Sequence, residues 1–295
     1  MSRRHNILRR AFTLLGVLSN VVLAATGCED DAPLGLDQDS DGWSLVWADE
    51  FEGPIGQLPD PANWRFDIGT GWGNQQLEYD TDRAENASLD GSGNLAITAR
   101  QEFYEGSAFT SARITTKGLI DIEGGLFEAR IKLPSGHGVW PAFWLLGSNI
   151  DTVPWPGCGE IDIMEFRGQE PNLVHGTLHG PEYSGSQAVT NSFYLEDGRF
   201  DENFHVFSVE WTKNSISWFV DGTKYRTLIP DDLPGEWVYD HPFHIILNVA
   251  VGGTYVGYPS PDAVFPQTML VDWVRVYEKG SLASFAASGP WPPMR

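Results

Sequence analysis

The chain has 295 residues, with 12 Trp and 32 Gly, and 40 acidic against 19 basic side chains for a formal net charge of −21. So acidic a surface repels phosphate backbones and excludes nucleic acid as a partner, while an uncharged partner stays open. Two cysteines are too few for a disulfide framework, and the length suits one large all-β domain.

The chain begins with an address. Arg3, Arg4, Arg9 and Arg10 precede an apolar stretch from Phe12 to Ala25, shorter than the ~20 residues that a membrane helix needs, so residues 1–27 are expected to be a signal peptide. Losing these four Arg would take the remainder from −21 to −25. Ala25-Thr26-Gly27-Cys28 resembles a lipoprotein cleavage box with Ala25 where Leu is usual, and Cys28 is the expected lipidated residue. The expected location is therefore extracellular or on the outer membrane and cell surface.

Residues 28–43 form an acidic tether. Within it, Asp37-x-Asp39-x-Asp41-Gly42 copies half of a calcium loop, but Ala48 stands where the bidentate Glu is needed. Residues 44–279 then alternate apolar and polar side chains in short runs. Examples are Asn94 to Arg100, Gly125 to Lys132, His205 to Trp211, Ser215 to Val220 and Leu270 to Tyr277. Asp90-Gly91, Asn214 and Asp221-Gly222 supply hairpin turns. No long stretch has helical periodicity, and the sum is a β-sandwich of two antiparallel sheets. Residues 280–295 lose the pattern and form a C-terminal tail.

The chemistry concentrates at Gly159-Glu160-Ile161-Asp162-Ile163-Met164-Glu165-Phe166, where three acids interrupt an apolar strand. Mutual repulsion and burial would raise at least one pKa, a cost that folds tolerate at acid/base sites. Glu160 and Asp162 share a strand face, and Glu165 joins them only if a β-bulge sits at Ile163-Met164. Glu160 and Glu165 would then approach the ~5–5.5 Å that a retaining glycosidase needs between its carboxyls. Glu160 would be the nucleophile, Glu165 the general acid and then base, and Asp162 the group that tunes Glu160. Trp140 and Trp144 are platforms for sugar rings, and Trp72, Trp155 and Trp237 add to the same cleft. His175 and His179 are four apart on an extended, Gly-containing segment unlike a helical zinc motif, so His179 is expected to hydrogen-bond at the cleft. Cys158 lacks a His-and-acid arrangement and is expected to be a small buried thiol.

The strand at 159–166 resembles the bulged active-site strand of glycoside hydrolase family sixteen. The resemblance runs from about Leu45 to Tyr277. It takes in Trp47 to Phe51, Gly71-Trp72-Gly73-Asn74 with Glu78, Trp140 to Trp144, His175 to His179, Phe204 to Val206 with Glu210-Trp211, Leu247 to Gly253 and Asp272 to Tyr277. Each of these is similar to the family's bacterial laminarinases. The resemblance implies a β-jelly-roll with a concave substrate cleft and endo-hydrolysis of β-1,3-glucan with retention, by Glu160, Asp162 and Glu165. It further implies Asn74, Arg113, Trp140, Trp144, His179 and Asn248 as sugar contacts. It implies no cofactor for catalysis, but a structural Ca²⁺ at Glu50, Gly93 and Asp272. Nothing demands an oligomer, so a monomer is expected. Mixed-linkage β-1,3-1,4-glucan or a marine galactan are the alternative substrates. A non-catalytic glucan-binding protein is the alternative class, although such relatives usually lack one of the acids.

Overall fold

The computed structural model describes residues 42–261 and 263–280. The signal peptide, Cys28, most of the tether and the tail beyond Gly280 lie outside the described residues. Among those described, no helix is long and apolar enough to cross a membrane.

The described residues form seventeen strands. The first six are β1 (Trp43–Asp49), β2 (Arg65–Phe66), β3 (Glu78–Asp80), β4 (Ala87–Leu89), β5 (Leu95–Tyr104) and β6 (Ser107–Ser111). Then come β7 (Arg113–Thr115), β8 (Gly125–Lys132), β9 (Val139–Gly147), β10 (Glu160–Phe166), β11 (Leu173–His179) and β12 (Val189–Tyr194). The last are β13 (His205–Thr212), β14 (Ser215–Val220), β15 (Thr223–Leu228), β16 (Phe243–Val251) and β17 (Gln267–Lys279).

They build two sheets, as the alternation predicts. A ten-stranded sheet runs β15-β14-β13-β8-β17-β5-β6-β3, with β1 on β17 and β4 on β5. A seven-stranded sheet runs β12-β11-β10-β9-β16-β7-β2. All pairings are antiparallel except β3 with β6. β1 begins one residue before the expected domain start, because Trp43 is buried and pairs with Lys279. Trp43 therefore belongs to the sandwich, not to the tether.

The core lies between the sheets. Phe127, Ala129 and Ile131 of β8 meet Phe143 and Leu145 of β9 and Leu247 and Val249 of β16, all buried. Each such large side chain contributes about 1.5–3 kcal/mol when buried. Two buried indoles also tie polar backbone: Trp218 donates to the Asp162 carbonyl at 2.8 Å, and Trp211 to the Tyr239 carbonyl at 3.0 Å. Trp218 reaches Asp162 because Gly176 lies in its path on β11; a Cβ at Gly176 would come within 2.5 Å of the Trp218 ring. At the β14–β15 turn Asp221 and Gly222 both have positive φ, 49° and 73°, as a two-residue type I′ hairpin requires.

Candidate active site

Strand β10 carries the three acids and is bulged where the spacing predicts. Against β9, Asp162 pairs with Trp144 and Met164 with the next residue back, Phe143. Against β11, Asp162 pairs with Thr177 and Glu165 with His175, so three steps on β10 match two on its neighbour. Ile163 and Met164 both enter the core, and Glu165 returns to the outer face beside Glu160 and Asp162. The buried β-branched and thioether side chains hold this bulge, so the acids cannot slip face without exposing the core.

The neighbouring strands supply the walls. β9 contributes Trp140 and Trp144, β11 contributes His175, Thr177 and His179, and β16 contributes Asn248. The Trp155 indole, in the loop before β10, donates to Glu160 Oε2 at 2.8 Å. Trp140 donates to Glu165 Oε1 at 3.2 Å, and the Thr177 hydroxyl lies 3.1 Å from Glu165 Oε2. The Gly185 main-chain N–H donates to His179 Nδ1 at 3.1 Å. A neutral His179 ring thus carries its proton on Nε2, which faces Asp162 Oδ2 at 3.2 Å and Glu160 Oε1 at 3.5 Å.

Electrostatics follow from this crowding. Burial, then the charge of Asp162, pushes the Glu160 carboxyl up to about 8. Burial and the Glu165 charge hold Asp162 well above the usual carboxylate range. Burial also raises Glu165, opposed by His179 and by the Thr177 and Trp140 donors. Three carboxyls so placed cannot all ionise at neutral pH, and the group retains a proton.

The remaining expected sugar contacts are placed as follows. Arg113 lies between the Trp72 and Trp144 rings, 4.8 Å from each centroid, and its Nε pairs with Asp67 at 2.9 Å. It braces two indoles. Trp144 donates to Asn248 Oδ1 at 2.8 Å, leaving the Asn248 amide N–H groups for other partners. Asn74 sits on an exposed loop with φ 50°, its carbonyl accepting from the Thr254 N–H at 2.7 Å. Trp237 packs edge-on against Tyr239, whose hydroxyl donates to the His179 carbonyl at 3.0 Å. Cys158 is fully buried beside Leu146 and Ile246, and burial with the Glu160 charge lifts its thiol to about 11, so it is inert packing.

Residues 71–275 match the model for glycosyl hydrolases family 16. The chain belongs to glycosyl hydrolase family 16. A beta-glucanase of Rhodothermus marinus is 43% identical over 282 residues, spanning 92% of this chain and 95% of that protein. The laminarinase catalytic domain of Thermotoga maritima superimposes with a TM-score of 0.76 at 47% identity, covering 81% of this chain and 99% of that one. The endo-beta-1,3-glucanase of Pyrococcus furiosus gives 0.77 at 46%, covering 82% and 97%.

Two metal questions arise in this family 16 fold. Glu160, Asp162 and His179 offer ligand atoms within 4.8 Å of one another. A cation on His179 Nε2 would have to displace the proton that the Gly185 contact places there, so the trio suits proton traffic better than a metal. The calcium expected at Glu50, Gly93 and Asp272 meets another obstacle. Both Glu50 oxygens accept from Arg275, at 2.8 and 2.9 Å, and Asp272 Oδ2 accepts from Arg130 at 2.6 Å. Main-chain carbonyls and one carboxylate oxygen are what remain for an ion that takes six to eight oxygens.

The raised carboxyls have a consequence for stability. Glu160 ionises near 4.5 when unfolded and near 8 when folded, so between these values the native state binds the extra proton. Its contribution therefore falls as pH rises from about 4.5 through about 8. Glu160→Gln, neutral at every pH, is expected to raise Tm at pH 8 by roughly 2–4 °C and to leave it unchanged at pH 4. Scanning calorimetry at both pH values checks this; an equal shift at both would remove the electrostatic cause.

Proposed function

We propose that this family 16 hydrolase cleaves internal β-1,3-glucosidic bonds of laminarin-type glucans with retention, by double displacement. The observation that carries the reading is the bulge of β10, which gathers Glu160, Asp162 and Glu165 on one face between Trp140, Trp144 and Trp155. Its likeness to laminarinases at 46–47% identity selects the glucan linkage.

In the first step a Glu160 oxygen attacks the anomeric carbon while Glu165 gives its proton to the departing glycosidic oxygen. The carbon–oxygen bond breaks and an ester to Glu160 forms. Glu165, now a carboxylate, takes a proton from water, which attacks the same carbon and releases Glu160. Asp162, the most buried of the three at 3% exposure, holds the shared proton toward Glu160 and keeps the outer acids in opposite states. Indole faces stack on the C–H faces of the sugar rings. Export with lipidation at Cys28, action as a monomer, and a stabilising calcium held by main-chain carbonyls at Glu50, Gly93 and Asp272 and by Asp272 Oδ1 belong to the same proposal. The first rests on the N-terminal sequence and the last on the family resemblance.

The test is reducing-end release from laminarin, lichenan and agarose by the purified protein. Laminarin is expected to be the best substrate, with oligosaccharides of mixed length appearing early. Binding of laminarin without release of reducing ends would overturn the reading.

A further inference from the structure

Trp155 stands apart from the other cleft aromatics. It belongs to the loop between β9 and β10, its side chain is 44% exposed, and yet its indole N–H ends on a carboxylate oxygen of the innermost site. Trp140 and Trp144 are set by strand β9, where Trp140 pairs with Ala250 of β16 and Trp144 with both Ile246 of β16 and Asp162 of β10. Trp155 is set by its ring lying 5.7 Å from that of His179 and by the 2.8 Å bond to Glu160 Oε2.

The two oxygens of Glu160 are thereby made unequal. Oε2 is held by a fixed donor, whereas Oε1 faces His179 at 3.5 Å, beyond a good hydrogen bond. We propose that Trp155 is a positioning residue whose indole N–H pins Oε2 of Glu160, favours its carboxylate over the protonated form, and leaves Oε1 free to attack the sugar. The inference rests on Glu160 being the nucleophile.

The groups facing Glu160 define what the donor must oppose. Asp162 and Glu165 come from β10 itself, Cys158 from the preceding loop, His179 from β11, and Tyr239 from the segment leading into β16. Both carboxylates and burial favour the protonated, non-nucleophilic form, and only His179 and the indole favour the anion. An N–H donor to a carboxylate is a charge-assisted bond that stabilises the anion selectively. When the ester forms, Glu160 loses its charge and the bond to Oε2 weakens; when water releases the carboxylate, the bond is restored and favours departure. Trp155 thus acts on the ionisation that gates attack and on the release of the enzyme's own leaving group. Being half exposed, its ring also remains available to a sugar, so the two roles need separating.

Trp155→Phe separates them, since it keeps a ring and deletes the N–H. The acid limb of the kcat/KM profile on laminarin is expected to move up by about one pH unit, with activity at neutral pH falling roughly tenfold and recovering toward wild type at higher pH. KM is expected to stay within about twofold. Trp155→Ala should show the same limb shift plus a raised KM from the lost ring. Melting temperatures close to wild type certify that both variants fold. A Trp155→Phe profile superimposable on wild type would overturn the inference and leave Trp155 a sugar platform only. Failure of the wild-type protein itself to release reducing ends would instead overturn the glucanase reading.

Discussion

Glu160→Gln is expected to lower kcat on laminarin by at least about 10⁴-fold while laminarin binding stays within a few-fold of wild type. The amide is nearly isosteric, so the Trp155 and His179 contacts and the bulge behind them lose little. What disappears is the nucleophile. No nearby side chain replaces it: Asp162 is buried against the sheet, and Glu165 is held by Trp140 and Thr177. The same substitution removes a buried, repelled charge, so the inactive protein should also be the more stable one above neutral pH. A loss of activity accompanied by a lowered Tm at pH 8 would point to a structural role for Glu160.

Glu165→Ala is the second large effect. General acid catalysis contributes ~10²–10⁴-fold, and natural glucans, with poor leaving groups, should lose that full range. Aryl β-glucosides whose phenolate leaves unaided should keep fast formation of the Glu160 ester. They should then stall at release, because no base activates water. Added azide needs no base and is expected to restore turnover several-fold, giving a β-glycosyl azide. Rescue with the α-azide would exchange the roles assigned to Glu160 and Glu165.

The sandwich and its acid strand were legible in the sequence because period-two alternation and the pleat are local properties. Ile161, Ile163, Met164 and Phe166 mark the core face, and the extra residue before Glu165 demands a bulge, which β9 and β11 confirm by register. Contacts between distant segments were less legible. Thr177 reaches Glu165 from β11, and only its parity with His175 and His179 signals its face. Tyr255 packs on Trp140 at 4.6 Å from a loop with no periodicity of its own. The Trp155 bond to Glu160 depends on how a turn-rich loop folds back, which neither propensity nor spacing specifies.

The sugar contacts show the same division. Trp140, Trp144 and Asn248 lie on strands, and their outward faces follow from alternation. The family resemblance implies Arg113 as a sugar contact, but its place between two indoles and its pairing with Asp67 do not follow from spacing. Side chains that choose among several partners are decided by packing, which a single sequence does not display. Glu78 and Asp80 illustrate this further. Both are buried, Glu78 accepting the Val251 N–H at 2.8 Å, although nothing in their spacing separates them from surface acids.

Proton NMR of laminarin during the first minutes of hydrolysis tests the central claim most directly. Attack by Glu160 followed by attack of water on the same carbon inverts it twice, so the new reducing ends must appear first as the β-anomer and drift to the equilibrium mixture by mutarotation. Initial release of the α-anomer would contradict the double displacement and the roles given to the three acids of β10.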